Sequence, residues 1–312
     1  VPGELHAIVN PVSGAGRTRR RWPELATKLE AIGWRVRSYV TTAPGDATGV
    51  ARRLLSAGAR ELLSVGGDGT ANEVVNGFFR EGHAMAGDAI LSVMPTGTGH
   101  DFARSLGIAG IGEAIAALAA GRICRIDVGL AEYRTDGGCA RRCFVNAADA
   151  GVGAVAAARI NRSRKLLGGR LTYLVGAARA ILTYQPRPAR VVVDGTTISD
   201  EPMEMVLVAN GRFHAGGMRM APMACMADGL FEVFVLRRIP KLSLLLSLLP
   251  RAYRGAHVSH PAVHHVRGRD VQVQAAGLPL ETDGEQPGTA DLRIRVLPQA
   301  LRVRVPARAG CP

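Results

Sequence analysis

Ser64-Val65-Gly66-Gly67-Asp68-Gly69-Thr70-Ala71-Asn72-Glu73 sets the architecture of the N-terminal half. Leu62 to Val65 is a short apolar run with the character of a buried strand, and it stops at two glycines. Thr70 and Glu73 follow at capping-box spacing, and Val74, Val75, Phe78 and Phe79 then recur on a helical period. The stretch predicts strand, glycine turn, helix, with one carboxylate, Asp68, at the bend. Gly66, Gly67 and Gly69 lack Cβ atoms, so backbone amides there can approach an anion closely, and a helix start adds a favourable field. A carboxylate in that place repels phosphate unless a metal ion or a nucleophile's proton lies between them. That combination points to phosphoryl transfer more than to simple anion binding. The competing reading is a tight turn in which Asp68 only caps.

Upstream, Leu5 to Val9 reads as a first strand running into Asn10-Pro11-Val12-Ser13-Gly14-Ala15-Gly16-Arg17. These small residues can face a phosphate, although the Gly-Lys-Ser/Thr ending of a Walker A loop is absent. A helix over Trp22 to Ile32, a strand over Trp34 to Val40 and a helix over Asp46 to Ala57 follow. Downstream, Ala89 to Met94 is another buried strand, ending in Pro95-Thr96-Gly97-Thr98-Gly99-His100-Asp101-Phe102 with Thr98 and Asp101 again at capping-box spacing. Two glycine turns after successive strands fall at the carboxyl edge of one parallel sheet, where ligands of open α/β sheets bind. Glu113 to Ala120 closes this region as a helix.

From Ile126 the pattern changes to short strands: Ile126 to Leu130, Cys143 to Ala148, Ala189 to Val193, Met203 to Ala209, Leu230 to Leu236, Val271 to Gln274 and Leu292 to Val296. Such spacing predicts a β-sandwich-like second domain. Helices interrupt it at Ala154 to Lys165, Leu171 to Tyr184 and Lys241 to Tyr253.

Composition narrows the function. The 312 residues suffice for two domains with their own cores, and 47% hydrophobic content is that of a soluble protein. The net charge of +13, carried mostly by arginine, points to anionic partners. Aromatic residues make up only 4%, with no basic stripe interleaved with stacking residues, which argues against nucleic acid. Cys124, Cys139, Cys143, Cys225 and Cys311 are odd in number and irregularly spaced, as expected of reduced cytosolic thiols. No signal-like region and no run of membrane-spanning length is present, so the expected location is cytoplasmic. His257, His260, His264 and His265 have no accompanying cysteine, and Pro261 breaks any helical register between them, so no metal site is expected there.

Together the motifs resemble the soluble lipid kinases of the diacylglycerol kinase family, whose catalytic domain is shared with sphingosine and ceramide kinases. The resemblance rests on Asn10-Pro11 with its Ser-Gly loop, Gly66-Gly67-Asp68-Gly69-Thr70 with Asn72-Glu73, Pro95-Thr96-Gly97-Thr98 with Asp101-Phe102, Asp228-Gly229-Leu230-Phe231, and Asp283-Gly284-Glu285. It implies an α/β plus mainly-β fold: a Rossmann-like αβ nucleotide domain over 1–125 and a β-sandwich lipid-substrate domain over 126–289, with the active site in the cleft between. It also implies that the last strands, about 290–312, can return to the first domain. Carried over by position, Asn10, Pro11, Ser13, Gly14, Gly16, Thr41, Gly66 to Glu73, Thr96, Gly97 and Thr98 would surround ATP. Asp228, with the backbone carbonyls of Cys225 and Leu230, would hold a Mg²⁺ of mainly structural role, and Asp68 would help place the catalytic Mg²⁺. Asp283 and Glu285 would lie near the phosphoryl acceptor, with Glu285 favoured as general base. One departure stands out: His100 occupies a position where the family usually has Asn.

The chemistry agrees, since a lipid hydroxyl needs a carboxylate to accept its proton during transfer. Leu242, Leu244 to Leu246, Leu248 and Leu249, flanked by Arg237, Arg238, Lys241, Arg251 and Arg254, could rest against an anionic membrane surface. So could Arg159, Arg162, Arg164, Lys165 and Arg170. Reversible docking at the inner face of the membrane follows, and a β-rich second domain offers an edge for a homodimer. The rival readings are an NAD kinase-like small-molecule kinase, which also uses a Gly-Gly-Asp-Gly turn, and a catalytically silent lipid- or nucleotide-binding protein.

Overall fold

The computed structural model describes residues 3–135, 137–162, 169–275, 277–308, 310 and 312; the side chains of 161–174 lie outside the described set. Contacts divide the chain into two compact units, Val1–Val128 with Pro298–Pro312, and Gly129–Leu297.

The first unit alternates strands and helices: β1 (Glu4–Val9), α1 (Arg17–Ala31), β2 (Arg35–Val40), α2 (Asp46–Ser56), β3 (Glu61–Gly66), α3 (Asp68–Phe78), a small hairpin β4 (Phe79–Arg80) and β5 (His83–Ala84), β6 (Ile90–Pro95), α4 (Asp101–Ser105) and α5 (Ile111–Ala120). Strands β2-β1-β3-β6 pair in parallel, and Arg302 and Val303 add a further parallel strand beside Ile90 and Leu91 of β6. Strands β1, β3 and β6 are near-continuous apolar runs because helices cover both faces. Helix α1 answers them with Trp22, Leu25 and Leu29 at helical spacing on its buried face. The chain leaves β1 toward β2 on one side and returns to β3 on the other. The strand order therefore reverses at β1, and the loops after β1 and β3 diverge at the carboxyl end of the sheet, as in doubly wound folds.

The second unit is antiparallel. After β7 (Arg122–Thr135), where the chain leaves the first unit, come β8 (Gly138–Phe144), β9 (Ala147–Gly151), α6 (Val152–Arg162), α7 (Gly169–Thr183), β10 (Arg187–Val193), β11 (Thr196–Ala209) and β12 (Phe231–Arg237). A helical segment over 241–252 follows, then β13 (Val263–Gly268), β14 (Asp270–Gln274), β15 (Pro279–Thr282) and β16 (Glu285–Val305). Within the unit the order is β13-β12-β11-β10-β14-β16, while β9 pairs with both β11 and β15. Val191, Val206, Phe231, Val233, Leu280 and Ile294 from these strands share one core with Ala180 and Ile181 of α7 and with Leu244 and Leu248.

Two local expectations fail for identifiable reasons, and a third falls where it is not tested. The strand expected over Cys143 to Ala148 is two strands, because the amides of Val145, Asn146 and Ala147 all donate to the Asp283 carboxylate. The helix expected over Lys241 to Tyr253 carries a π-helical stretch at Leu244–Leu248 between two short α turns. The end of the helix expected at Lys165 falls among 163–168, outside the described residues.

Candidate active site

Three loops converge at the carboxyl end of the parallel sheet. The Asn10 amide nitrogen of the side chain donates to Thr70 Oγ1 at 3.0 Å, and Val12 N–H returns a bond to Asn10 Oδ1 at 3.2 Å. Asn10 therefore fixes the loop after β1 to the first turn of α3. The N–H groups of Thr96 and Gly97 both donate to Gly66 O, at 3.0 and 2.9 Å, which ties the loop after β6 to the turn after β3. The Thr18 hydroxyl donates to Thr96 Oγ1 at 2.7 Å.

Glycine is required at the closest approaches. A Cβ on Gly97 would stand 2.6 Å from Gly67 Cα and 2.8 Å from Ser13 Oγ; one on Gly14, where φ is +62°, would meet Thr96 O at 2.6 Å. Pro11, Gly14, Thr41, Thr70, Asn72 and Thr96 are buried, whereas Ser13, Gly16, Gly67, Asp68 and Gly69 are half-buried and Thr98 is exposed. Gly66, Gly67, Asp68, His100 and Phe102 line a small recess here.

Asp68 accepts N–H bonds from Asp101 and Phe102, at 3.0 Å each, so its carboxylate caps α4 rather than its own helix. Neither expected capping box forms. Glu73 Oε2 accepts from Ala47 N–H at 3.2 Å, in the first turn of α2, and Asp101 Oδ1 takes the Arg104 guanidinium at 3.1 Å. Spacing along one helix cannot show that a carboxylate serves its neighbour. His100 makes its bond with Arg104, Nε2 to Nη2 at 3.1 Å. Burial and the Arg104 charge hold its pKa down, and because a guanidinium can only donate, Nε2 is the acceptor of that bond.

The second unit carries the remaining candidates. Asp283, at φ +48° in the β15–β16 turn, is buried, and its two oxygens accept from Val145, Asn146 and Ala147 N–H at 2.8, 2.8 and 3.1 Å. Glu285, two residues on, is exposed. Asp228 Oδ1 accepts from Leu230 N–H at 3.1 Å, and Oδ2 pairs with the Arg267 guanidinium, which also holds Glu232 at 3.0 Å. The Arg267 guanidinium thus neutralises the Asp228 carboxylate in this structure.

A further group escaped the sequence reading. Asp149, His214 and Glu281 meet in the interior of the second unit, from β9, the loop after β11, and β15. The only sequence signal was a lone titratable residue inside each of two apolar runs, Ala147-Ala148-Asp149-Ala150 and Leu278-Pro279-Leu280-Glu281.

Residues 4–131 match the family described as diacylglycerol kinase catalytic domain, and 146–305 match the one described as YegS C-terminal NAD kinase beta sandwich-like domain. The chain belongs to the diacylglycerol kinase family. Its place in the family makes it an enzyme of the lipid-kinase class, with a nucleotide as one substrate. A diacylglycerol kinase of Staphylococcus saprophyticus is 28% identical over 301 residues, covering 96% of this chain and 94% of the relative. One from Staphylococcus aureus is 29% identical over 283 residues, covering 90% and 85%. Among solved structures, a diacylglycerol kinase from Bacillus anthracis superposes with a TM-score of 0.71 at 21% identity over 97% of this chain and 96% of its own. Yeast NADH kinase, solved with NADH, gives 0.52 at 10% identity over 99% and 84%. These two likenesses establish the fold: a diacylglycerol kinase family chain has an αβ unit and a β-rich unit of NAD kinase type.

Proposed function

We propose that this chain transfers the γ-phosphoryl group of ATP, bound as its Mg²⁺ complex, to the hydroxyl of a membrane lipid, diacylglycerol or a similar amphiphile. The observation that carries the reading is the junction of three loops at the point where strand order reverses, tied together by Asn10, Thr70 and Gly66. In this reading the Asn10–Gly16 loop, Thr41, the Gly66–Thr70 turn and Thr96–Thr98 receive the nucleotide, with backbone N–H groups facing its phosphates. Asp68 acts as a positioning residue, holding the start of α4 against the turn after β3. Asn72 and Glu73 support the loops from behind, since Asn72 is buried and Glu73 serves α2.

On the acceptor side, Glu285 is the better general base. It is exposed and its side chain has no bond among the described residues, whereas both Asp283 oxygens are engaged by backbone donors. As the lipid oxygen bonds to the γ-phosphorus and the bond to the β-bridging oxygen breaks, Glu285 takes the hydroxyl proton and ADP leaves.

Access to a bilayer has its own support. Leu242 and Leu246 are 65% and 67% exposed, and Leu182 on the adjoining α7 is 53% exposed. Lys241 Nζ joins the two helical segments by donating to Leu182 O at 2.7 Å. Arg237, Arg238, Arg251 and Arg254 flank this apolar face, a pattern suited to an anionic leaflet and to reversible association with the inner face of the membrane. No helix of the described residues is long and apolar enough to cross a membrane. Of the second basic group, Arg164 and Lys165 lie outside the described residues, as do the side chains of Arg162 and Arg170.

The test is phosphate transfer from labelled ATP with Mg²⁺ to diacylglycerol, monoacylglycerol, sphingosine, ceramide, polyprenol and NAD, the lipids in mixed micelles. Label in one lipid, reduced at least a hundredfold in Glu285→Gln, supports the proposal. Label in NAD alone would assign the chain to the small-molecule kinases, and ATP binding without transfer to any acceptor would make it a silent binder.

A further inference from the structure

Strands β9 and β15 bring two carboxylates face to face. Asp149 and Glu281 are register partners in that antiparallel pair and are only 2% and 1% exposed. Buried like charges opposite one another are unfavourable unless something cationic joins them. His214, 7% exposed, sets its Nε2 2.8 Å from Glu281 Oε2 and 3.6 Å from Asp149 Oδ2. Asp149 Oδ1 is buried and has no hydrogen-bond partner. The Asp149 carboxylate packs directly against Gly153, where a Cβ would stand 2.7 Å from both its oxygens.

We infer that Asp149, His214 and Glu281 bind one divalent transition-metal ion of the zinc class. Without a metal the charges balance only if His214 is protonated and one of the two carboxyls keeps its proton, and Asp149 Oδ1 is still left without a hydrogen-bond partner. A dication neutralises both, and the imidazole then ligates through Nε2 in its neutral form. The three ligand atoms all lie within 4.8 Å of one another. The two His214 distances bracket the separation of about 3.0–3.4 Å between neighbouring ligands bound at about 2.1 Å to one ion. An imidazole in the set favours zinc, cobalt or manganese over Mg²⁺, which prefers oxygen ligands and keeps several waters.

The ion would also steady the turn bearing Asp283 and Glu285. The second Glu281 oxygen accepts from Gly284 N–H, at the centre of that turn. Bonds from a ligating carboxylate to its surroundings orient such sites. The inference concerns the second unit alone and stands whether or not the lipid-kinase reading does.

The experiment strips the full chain with a chelator and titrates it with Zn²⁺ and with Mg²⁺ by calorimetry, then records the absorption of the Co²⁺ form. Expected are one Zn²⁺ per chain, bound at least a hundredfold more tightly than Mg²⁺, a higher Tm on addition of Zn²⁺, and visible Co²⁺ bands of a site with a nitrogen ligand. His214→Gln and Asp149→Asn should each weaken Zn²⁺ binding at least tenfold, while Asp228→Asn leaves it unchanged. Wild-type protein that prefers neither metal, or Zn²⁺ binding untouched by His214→Gln, would overturn the inference. Should His214→Gln fail to fold, hyperfine coupling from a histidine nitrogen in the Mn²⁺ or Cu²⁺ form of the wild type decides: its presence supports the site and its absence refutes it.

Discussion

Replacing Asp283 by alanine should damage stability as well as turnover, and the structure sets the size of the loss. The carboxylate is the shared acceptor for three amides, from Val145, Asn146 and Ala147, in a buried setting. Each donor left without a partner costs roughly 1–3 kcal/mol. Alanine at φ +48° adds about 1 kcal/mol of backbone strain. Entry of water into the vacated space offsets part, leaving about 4–6 kcal/mol. For a unit of about 150–250 residues that corresponds to a fall in Tm of roughly 10–20 °C. Asparagine tolerates positive φ and keeps one accepting oxygen, so Asp283→Asn should lose only about 1–3 kcal/mol. Thermal and urea unfolding, paired with turnover measured well below both transitions, separate the roles. A clamp predicts that Asp283→Asn keeps much of the activity and that Asp283→Ala melts early. An alanine variant that melts within 2 °C of the wild type yet is inactive would refute the clamp and place Asp283 in the chemistry.

Gly97→Ala should weaken ATP binding at least tenfold, read with a fluorescent nucleotide, because its Cβ would meet Gly67 backbone atoms at 2.6 and 2.8 Å that cannot rotate away; unchanged affinity would mean the loops need not touch. His257 has its pKa held below the usual 6.5 by burial, with Nε2 bonded to Met220 O and Nδ1 buried without a partner. The unfolded chain therefore binds this proton first, so stability is full above pH 6.5 and falls as pH drops through that value. Tm measured between pH 7.5 and 5 should decline more steeply in the wild type than in His257→Gln, and parallel profiles would discount the effect. The Cys143 thiol is pushed up to about 12, chiefly by burial, so about one molecule in 10⁴ is thiolate at pH 8. Mass spectrometry after brief alkylation should find exposed Cys139 modified and Cys143 untouched until the protein is unfolded.

The parts of the fold legible in the sequence were those written in local periodicity. Leu62 to Val65 followed by glycines could hardly be anything but a strand entering a tight turn, and the helical spacing after Asn72 fixed what came next. Partners of side chains were far less legible. Glu73 and Asp101 carry a capping signature, yet each is bound elsewhere, to Ala47 and to Arg104. Asp228 resembles a ligand in sequence and is paired in space with Arg267, the register partner of Glu232 across β12 and β13. Asp149, His214 and Glu281 are separated by more than sixty residues at each step, and only the antiparallel pairing of β9 with β15 brings two of them opposite each other. Local pattern specifies elements, whereas such clusters depend on register, which no window of sequence contains.

The strand beside β6 has a consequence for how the protein is made. Arg302 and Val303 pair with Ile90 and Leu91, and Arg304 grips Glu61 with two bonds, at 2.8 and 2.9 Å, while its guanidinium lies 5.5 Å from the centre of the Trp34 ring. During synthesis some two hundred residues must emerge between β6 and these partners. Until they arrive, the nascent sheet exposes an open apolar edge and a buried glutamate without its counter-ion. The intervening segment, Gly129–Leu297, is contiguous and can close by itself in the meantime. The first half to leave the ribosome is thus the last to be finished, and a chain that stalls near its C-terminus presents an unsealed edge to chaperones and proteases.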